Sequence, residues 1–294
     1  MFYRRKVILA LLEMFDGQLD KIRLQKLLFL FCKKQPKPEY DFIPYKYGCY
    51  SYSANADMTA MVKKGQLIED EHSFGKNDPG NYLQALKAAD RKLLDAVTKQ
   101  YGQLDTSSLI KYTYINYPFY AINSEIAETL LSSEEYERVQ DAKSIIEDTT
   151  LFTIGYEGIS LEEYLVRLIK NDVKLLVDVR NNPISMKYGF SKSHLTRYCT
   201  GLGIQYIHIP EVGIHGNQRQ QLNSQSDYDN LFKQYRETNL ISTVEYQKRI
   251  LNSLKQYKRV ALTCFEANIC QCHRKHLAEA IGRLPGFEYD VKHI

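Results

Sequence analysis

The second half of the chain alternates short apolar runs with segments of helical character, and this alternation constrains the fold more than any other feature. The apolar runs have the length of buried strands, and a segment with helical spacing or a helix cap separates most of them. A strand–helix–strand rhythm predicts a parallel sheet with helices on both faces. The predicted strands are Leu151–Tyr156, Val173–Val179, Gln205–Pro210 and Arg259–Thr263, and the predicted helices are Leu161–Lys170, one within Phe190–Leu202, Tyr246–Tyr257 and His273–Gly282.

The first half has a different pattern, in which helical spacing dominates. Three helices followed by a small hairpin predict a winged-helix-like domain. Gly65 directly follows the third helix, where glycine most easily adopts a left-handed cap. The predicted elements are helices at Val7–Leu12, Ile22–Phe31, Ala54–Lys64, Leu83–Tyr101 and Ser124–Leu131, and a strand that begins at Leu67.

The length of 294 residues exceeds that of a usual single domain and predicts two domains. Ser132–Glu135 combines a helix N-cap with acidic residues in the first turn, and it begins a polar helix that we expect to continue to Ile146. We therefore predict an α/β fold with a winged-helix-like helical domain at residues 1–131, a helical connector at 132–149 and a Rossmann-like parallel sheet domain at 150–294.

Composition excludes several classes of protein. With 44% apolar and 25% charged residues, the chain is neither disordered nor fibrous. No apolar run reaches the roughly 20 residues that span a bilayer, and no signal peptide is visible, so no membrane partner is expected. Six cysteines at this length do not form a disulfide framework, which favours a reducing cytoplasm.

The net charge of +4 is distributed unevenly, with basic ends and an acidic middle. Basic regions favour phosphate-bearing partners because their binding releases counterions. A nucleotide or nucleic acid is therefore the expected partner, although the second helix could equally present these charges only to solvent. The candidate nucleic-acid-binding residues are Lys21, Arg23, Lys26, Lys33 and Lys34.

Three segments of the first half carry a resemblance to a known group. They are Leu24–Leu30 (Leu-Gln-Lys-Leu-Leu-Phe-Leu), Tyr47–Ser51 and Lys64–Ile68. With them, residues 1–130 resemble the N-terminal domains of the Panacea and SocA-like antitoxin group, which usually carry Gly-Pro where this chain has Gly48-Cys49. The resemblance implies contacts with protein or nucleic acid rather than chemistry, so a protein partner is also possible.

Reactive side chains follow two of the predicted strands. Cys264 and Glu266 come directly after the strand that ends at Thr263, and Asp178 and Arg180 lie at the end of another. Ligands of open α/β sheets bind at the carboxyl ends of the strands. These four residues are therefore the candidate catalytic residues.

Six segments of the second half occur in one order and spacing that closely resembles the bacterial domain-of-unknown-function 488 family. They are Thr153–Gly158, Val177–Ser185, Gly189–Phe190, Tyr206–Pro210, Cys264–Glu266 and Cys272–Arg274. The resemblance covers nearly all of residues 150–294 and implies a compact Rossmann-like α/β domain without assigning a reaction. Glu211–Gly216 departs from the family's usual Leu-Gly-Gly followed by Arg. The candidate substrate-binding residues are Gly155, Tyr156, Ser185, His208, His273 and Arg274.

The cysteine-rich segment from Cys264 to His276 allows three interpretations. Cys264 could be a nucleophile whose pKa is lowered by Arg180, Arg274 and a helix N-terminus. The cysteines could also be small apolar core residues, with Glu266, His273 and Arg274 performing the function. Thiolate and imidazole ligands could alternatively bind zinc, but their spacing is not that of a standard zinc knuckle, so zinc is not preferred and the cofactor is unknown. The candidate zinc ligands are Cys264, Cys270, Cys272 and His276, with His273 as the substitute for His276.

Asp178 and Arg180 have two interpretations as well. They could form a satisfied ion pair, or Arg180 could bind an anionic group while Asp178 or Glu266 acts as a base. The sequence as a whole favours a cytoplasmic enzyme of unassigned reaction that acts on a nucleotide or nucleic acid recruited by the N-terminal domain. The alternative is a non-catalytic DNA- or protein-binding regulator whose α/β domain senses a small ligand.

Overall fold

A computed structural model describes residues 1–219, 222 and 224–294. The chain divides into two compact units, Met1–Lys143 (unit 1) and Ser144–Ile294 (unit 2). Unit 1 is mostly helical, and unit 2 contains a parallel sheet with helices, so the predicted α/β fold class is confirmed.

Unit 1 contains seven helices and five short strands, and all of its residues are described. The helices are α1 (Tyr3–Glu13), α2 (Lys21–Lys34), α3 (Tyr52–Lys63), α4 (Ala88–Tyr101), α5 (Thr106–Asn116), α6 (Ala127–Leu130) and α7 (Ser133–Asp141), with a 3-10 helix at Pro118–Ala121. The strands are β1 (Gln18–Asp20), β2 (Ile43–Tyr45), β3 (Gly48–Tyr50), β4 (Leu67–Glu69) and β5 (Ser73–Lys76).

Helix α2 lies at the centre of unit 1. Every residue from Leu24 to Cys32 is buried, including the polar residues Gln25 and Lys26. A helix that is apolar on nearly all sides can only be stable when other elements surround it. Here α1, α4 and the antiparallel sheet β1–β5–β4 share its apolar core, and β2 and β3 form a separate hairpin.

Several helices of unit 1 differ from their predicted bounds, and one helix was not predicted. Helix α4 begins at Ala88 rather than Leu83, α6 is shorter than Ser124–Leu131, and α7 ends at Asp141 rather than Ile146. The missed helix is α5, whose many Ser, Thr and Tyr residues have weak helix propensity. It forms because the Asp105 carboxylate caps its N-terminus and its buried face packs into the unit.

The described part of unit 2 contains six helices and five strands. The strands are β6 (Thr150–Gly155), β7 (Leu175–Asp178), β8 (Gln205–His208), β9 (Arg259–Cys264) and β10 (Asp290–His293). The helices are α8 (Leu161–Lys170), α9 (Lys192–Gly201), α10 (Gln225–Gln234), α11 (Leu240–Ser242), α12 (Val244–Tyr257) and α13 (His273–Gly282). Shorter 3-10 helices occur at Pro210–Val212, Gly216–Arg219 and Ile269–Gln271, and a π-helix at Tyr235–Asn239.

All strand pairs of the unit 2 sheet are parallel, in the order β10–β6–β9–β7–β8. The four predicted strands are present, whereas β10 was missed. Its four side chains are all exposed, so its sequence carries no apolar pattern. It is nevertheless held in place because it pairs along the edge of β6.

Helices cover both faces of this sheet, as the alternation predicts. Leu262 of β9 shares an apolar core with Leu254 of α12 and Leu277 of α13. The next residue, Thr263, points to the other face, where its hydroxyl accepts a hydrogen bond from Tyr164 of α8 at 2.8 Å. Strands β6 and β9 are neighbours, but the helix that follows β6 (α8) and the helix that follows β9 (α13) therefore lie on opposite faces of the sheet.

This divergence opens a crevice at the carboxyl edge of the sheet. Strand β9 lies between β6 and β7, and the register places Gly155 beside Cys264 and Asp178 beside Thr263. The ends of three neighbouring strands thus meet at one place.

We expect Gly155→Ala to destabilise unit 2, because a Cβ atom at Gly155 would lie 2.0 Å from the backbone oxygen of Glu266. Such a contact forces the backbone after β9 to move, which should lower the free energy of unfolding by about 3 kcal/mol. Urea unfolding followed by circular dichroism measures the loss.

Gly282→Ala is the matched control for this substitution. A Cβ at Gly282 meets only the Phe287 ring, at 3.8 Å, so the stability should stay the same or rise by up to about 1 kcal/mol. Equal stability of the two variants would contradict the close packing of Gly155.

Candidate functional site

A pocket of about 320 Å³ lies at the carboxyl ends of β6, β7 and β9. Its lining combines a cation, amides, a thiol and an imidazole with exposed apolar side chains. The lining residues are Tyr156, Arg180, Asn181, Asn182, Ile184, Ser185, Met186, Ile214, Gly216, Cys264, Phe265 and His273.

The Arg180 guanidinium on one wall of this pocket is held by a bidentate ion pair with Asp178. Arg180 Nε donates to Oδ1 of Asp178 at 2.8 Å, and Nη2 donates to Oδ2 at 2.5 Å. Asp178 is fully buried and does not line the pocket, whereas Arg180 is 6% exposed and does. In this structure Asp178 therefore orients Arg180, and it is not placed to act as a base on a ligand in the pocket.

Two tyrosines complete the buried network around this pair. Tyr206 donates its hydroxyl hydrogen to Asp178 at 2.7 Å, and Arg180 Nη1 donates to the Tyr156 hydroxyl at 2.7 Å. Burial lowers the pKa of Arg180, but its hydrogen bonds to Asp178 and the charge of that carboxylate outweigh burial and raise the pKa overall. Burial and the same carboxylate raise the pKa of Tyr206. Arg180 therefore stays charged and fixed in orientation.

Three groups capable of proton transfer meet at the end of β9. The Cys264 thiol donates to Oε2 of Glu266 at 3.1 Å, and its sulfur lies 3.7 Å from Nδ1 of His273. His273 Nε2 lies 3.1 Å from the backbone oxygen of Val179, which can only accept a hydrogen bond. This contact assigns the proton of a neutral imidazole to Nε2 and leaves the lone pair of Nδ1 facing the sulfur.

Cys272 is the second thiol at this position. The ligand atoms of Cys264, Cys272 and His273 all lie within 4.8 Å of one another, and all three residues are buried. Burial, together with the hydrogen bond to Cys264, raises the pKa of the Cys272 thiol well above its ordinary value. Cys272 is therefore not a free thiolate nucleophile in the structure as it stands.

Arg274 and Gly155 lie next to the site but do not line the pocket. Arg274 Nη1 donates to the backbone oxygen of Glu266 at 2.5 Å, and Nη2 donates to that of Ala267 at 3.2 Å. Both contacts hold the loop that carries Glu266. The prediction that Gly155 and Arg274 bind substrate is therefore not supported by their positions, since neither lines the pocket.

The remaining predicted substrate-binding residues divide into two groups. Tyr156, Ser185 and His273 line the pocket, as a substrate-binding role requires. His208 does not, and its Nε2 lies 2.8 Å from the backbone oxygen of Arg180. His208 therefore contacts the backbone of the Arg180 loop instead.

The structure corrects the predicted zinc ligand set. Cys270 is exposed on the turn before α13, and His276 lies one helical turn beyond His273, where it contacts Arg236 and the Phe232 ring. Neither residue joins the group formed by Cys264 and Cys272. The imidazole near the two thiols is that of His273.

Several pocket residues were not predicted as site residues. Asn181 and Asn182 directly follow Arg180, and a signal for them exists, since polar residues after a strand end face the ligand edge. Ile184, Met186 and Phe265 are exposed apolar residues at the pocket. Nothing in their sequence pattern distinguishes them from core residues.

In unit 1, the prediction that Lys26 is a surface contact is wrong. Lys26 is 2% exposed, and its ammonium donates to the backbone oxygens of Tyr47 and Cys49. Burial lowers its pKa. It therefore stabilises the β2–β3 hairpin rather than offering a charge to a partner.

The other predicted basic residues of α2 lie in two separate pairs. Lys21 and Arg23 are at its first turn, and Lys33 and Lys34 at its last, about 18 Å away along the axis. Each already contacts its own unit: Lys21 pairs with Glu69, Arg23 donates to the Gly102 oxygen, Lys33 donates to Tyr120, and Lys34 lies over the Tyr101 ring. Helix α2 does not carry one continuous basic stripe.

Unit 2 is thus a Rossmann-like parallel α/β domain with a polar pocket at the carboxyl edge of its sheet. Residues 160–281 match the family model of the domain of unknown function DUF488, which supports the resemblance noted for the second half of the chain. No curated protein is similar enough to the chain to count as a match.

We expect Arg180→Met to destabilise unit 2, because it leaves the buried Asp178 carboxylate without its counter-charge. Removing one partner of a buried ion pair costs about 3–5 kcal/mol. The double variant Asp178→Asn/Arg180→Met should lose less than the sum of the two single variants, and urea unfolding measures all three.

Arg167→Met provides the control for this series. Arg167 forms an ion pair with Glu163 at 2.7 Å in which both side chains are substantially exposed. Its loss should change the free energy of unfolding by less than about 1 kcal/mol. Similar losses for Arg180→Met and Arg167→Met would show that burial does not strengthen the Asp178–Arg180 pair.

Proposed function

We propose that the protein is a cytoplasmic enzyme that acts on a nucleotide or nucleic acid in the pocket of unit 2. One observation carries the proposal: the Cys264 thiol and the His273 imidazole, 3.7 Å apart, line a ligand-sized pocket, and the Glu266 carboxylate, which does not line the pocket, lies 3.1 Å from the Cys264 sulfur. A cluster of groups that can exchange protons at a pocket is a recognised mark of a candidate functional site.

The roles follow from the geometry. Glu266 is the candidate base, because Asp178 is fully engaged by Arg180 and Tyr206. His273 has its tautomer fixed through Val179, so the lone pair of Nδ1 faces the Cys264 sulfur. Arg180 is oriented to stabilise negative charge on the substrate.

The pocket lining supports a nucleotide as the substrate class. Arg180 supplies a fixed positive charge for a phosphate, and Asn181 and Asn182 supply amides that can hydrogen-bond a base edge. Ile184, Met186 and Phe265 are exposed apolar surfaces on which the flat face of a base can pack. Together they match the charged, polar and apolar parts of a nucleotide.

Unit 1 is the proposed recruitment domain, with a winged-helix-like fold. This assignment is supported by the β4–β5 hairpin that follows α3, with β1 paired to its edge as a third strand. Free thiols at all six cysteines support the cytoplasmic location. Among the described residues, no helix has both the length and the apolar content needed to cross a membrane.

The first test is turnover of nucleoside phosphates, single- and double-stranded DNA, and RNA by the full chain. We expect Glu266→Gln to lower the rate by about 10²–10⁴-fold, as removal of a general base does. Cys270→Ser, in the same loop but exposed, should keep the wild-type rate. Products are separated by anion-exchange chromatography, and folding is checked by circular dichroism.

Two results would contradict the proposal. Full activity of Glu266→Gln would show that Glu266 is not the base, and binding of a nucleotide by wild type without any turnover would contradict the enzyme. In the second case the regulator described above is favoured, and the nucleotide should change the affinity of unit 1 for DNA or for a partner protein.

A second test concerns nucleic-acid contacts of unit 1. If the exposed end of α2 contacts phosphates, Lys33→Ala/Lys34→Ala should reduce the slope of log affinity against log salt by about 1.4–1.8, which is about 0.7–0.9 for each contact. Fluorescence anisotropy with single- and double-stranded DNA measures the slope.

Lys92→Ala/Lys99→Ala removes the same charge from the exposed surface of α4 and is the control. Its slope should equal that of the wild type. An equal reduction in both variants would indicate a general charge effect instead of a binding surface on α2.

A further inference from the structure

We propose that Cys264, Cys272 and His273 bind a zinc ion whose fourth coordination position opens into the pocket. The three ligand atoms lie within 4.8 Å of one another without any rearrangement. This inference deepens the proposed function by naming its cofactor, but it does not depend on turnover.

The distance between Cys264 and His273 fits a tetrahedral ion. With zinc–sulfur bonds of about 2.3 Å and zinc–nitrogen bonds of about 2.0–2.1 Å, a tetrahedral angle places sulfur and nitrogen about 3.6 Å apart. Cys264 Sγ and His273 Nδ1 are 3.7 Å apart. These two atoms therefore already stand at the separation that a shared ion requires.

The backbone contact of His273 supports the same conclusion. Histidine ligands of metal ions typically donate their second ring N–H to a carbonyl or carboxylate, which fixes the tautomer and the ring orientation. His273 Nε2 makes this contact with the Val179 oxygen at 3.1 Å, so Nδ1 is the ligand atom. The hydrogen bond that orients a histidine ligand of a metal ion is thus already present.

The ligand types favour zinc. Two thiolates and one imidazole are soft and borderline ligands that select zinc over magnesium or calcium. Three protein ligands with one open position characterise catalytic zinc sites, whereas structural sites use four. Cys264 and His273 line the pocket and Cys272 does not, so a ligand would approach the ion from the pocket side.

Glu266 could act as a base on a water molecule bound at the open coordination position of the zinc ion. Its Oε2 lies 3.1 Å from the Cys264 sulfur, so it would lie close to an ion bound by that sulfur once the thiol proton has been released. A zinc-bound water can transfer one proton to this carboxylate, which leaves hydroxide on the ion and a carboxylic acid at Glu266. Zinc-dependent nucleobase deaminases activate water with one His, two Cys and a non-ligand Glu, and such chemistry fits the proposed substrate class.

The test is zinc content, measured by elemental analysis of the full chain purified without a polyhistidine tag from zinc-supplemented medium. We expect about one zinc ion per chain, as a single three-ligand site requires, and its loss in Cys264→Ser, Cys272→Ser and His273→Gln. Cys270→Ser and His276→Gln should keep the ion, because both side chains lie outside the ligand group. Loss of zinc in these two variants, with retention in the first three, would overturn the assignment.

X-ray absorption at the zinc edge of the wild type keeps the test valid if a ligand variant fails to fold. Two sulfur ligands at about 2.3 Å and nitrogen or oxygen at about 2.0 Å are expected. A shell of nitrogen and oxygen alone, or wild-type protein that takes up no zinc, would refute the site. Bound zinc without turnover would support the zinc site and contradict the proposed enzyme. Turnover without bound zinc would support the enzyme and contradict the zinc site.

The Glu266→Gln variant distinguishes two possible roles of Glu266, a base beside the ion and a fourth ligand of the ion. Zinc content should be unchanged in this variant, because Glu266 is proposed to receive a proton and not to hold the ion. Loss of zinc in Glu266→Gln would show that the fourth position is closed by Glu266 and would refute the open site.

Discussion

The position of β9 between β6 and β7 is the constraint on which the rest of unit 2 depends. Backbone pairing fixes Gly155 beside Cys264 and Asp178 beside Thr263, so the ends of three strands cannot separate. The chain then leaves β6 and β9 toward opposite faces, and the gap between the two exits is the pocket. The sheet register, more than any side-chain contact, therefore decides which residues meet there.

Buried polar groups in this region are satisfied in a way that fixes the site geometry. Asp178 accepts two hydrogen bonds from the Arg180 guanidinium, and the backbone oxygen of Val179, between them, accepts one from His273. The same short segment at the end of β7 thus orients the cation on one wall and the imidazole on another. A change at Asp178 should consequently disturb both walls together, although Asp178 itself touches no ligand.

The sequence was sufficient for the parallel sheet and for the region of the site, because both follow from local patterns. Apolar runs identify the buried strands, and strand ends identify the ligand edge. Asp178, Arg180, Cys264 and Glu266 were found in this way. The edge strand β10 was missed because its side chains are exposed, and α5 was missed because its residues favour a helix only once they are packed.

The errors at individual residues have a different origin, since they depend on orientation about a helix axis or within a turn. Lys26 looked like one of several surface cations, but α2 is buried along most of its length and Lys26 points inward. His276 and His273 are one turn apart on α13, and spacing alone could not tell which imidazole approaches Cys264.

Only tertiary contacts resolve that choice. The carbonyl of Val179, directly after β7, accepts a hydrogen bond from the His273 N–H and turns Nδ1 toward the sulfur. The Phe232 ring and Arg236, both from the α10 region, occupy the surroundings of His276. The sequence alone therefore left the choice between His273 and His276 open, because the contact that decides it comes from Val179, which is far away in the sequence.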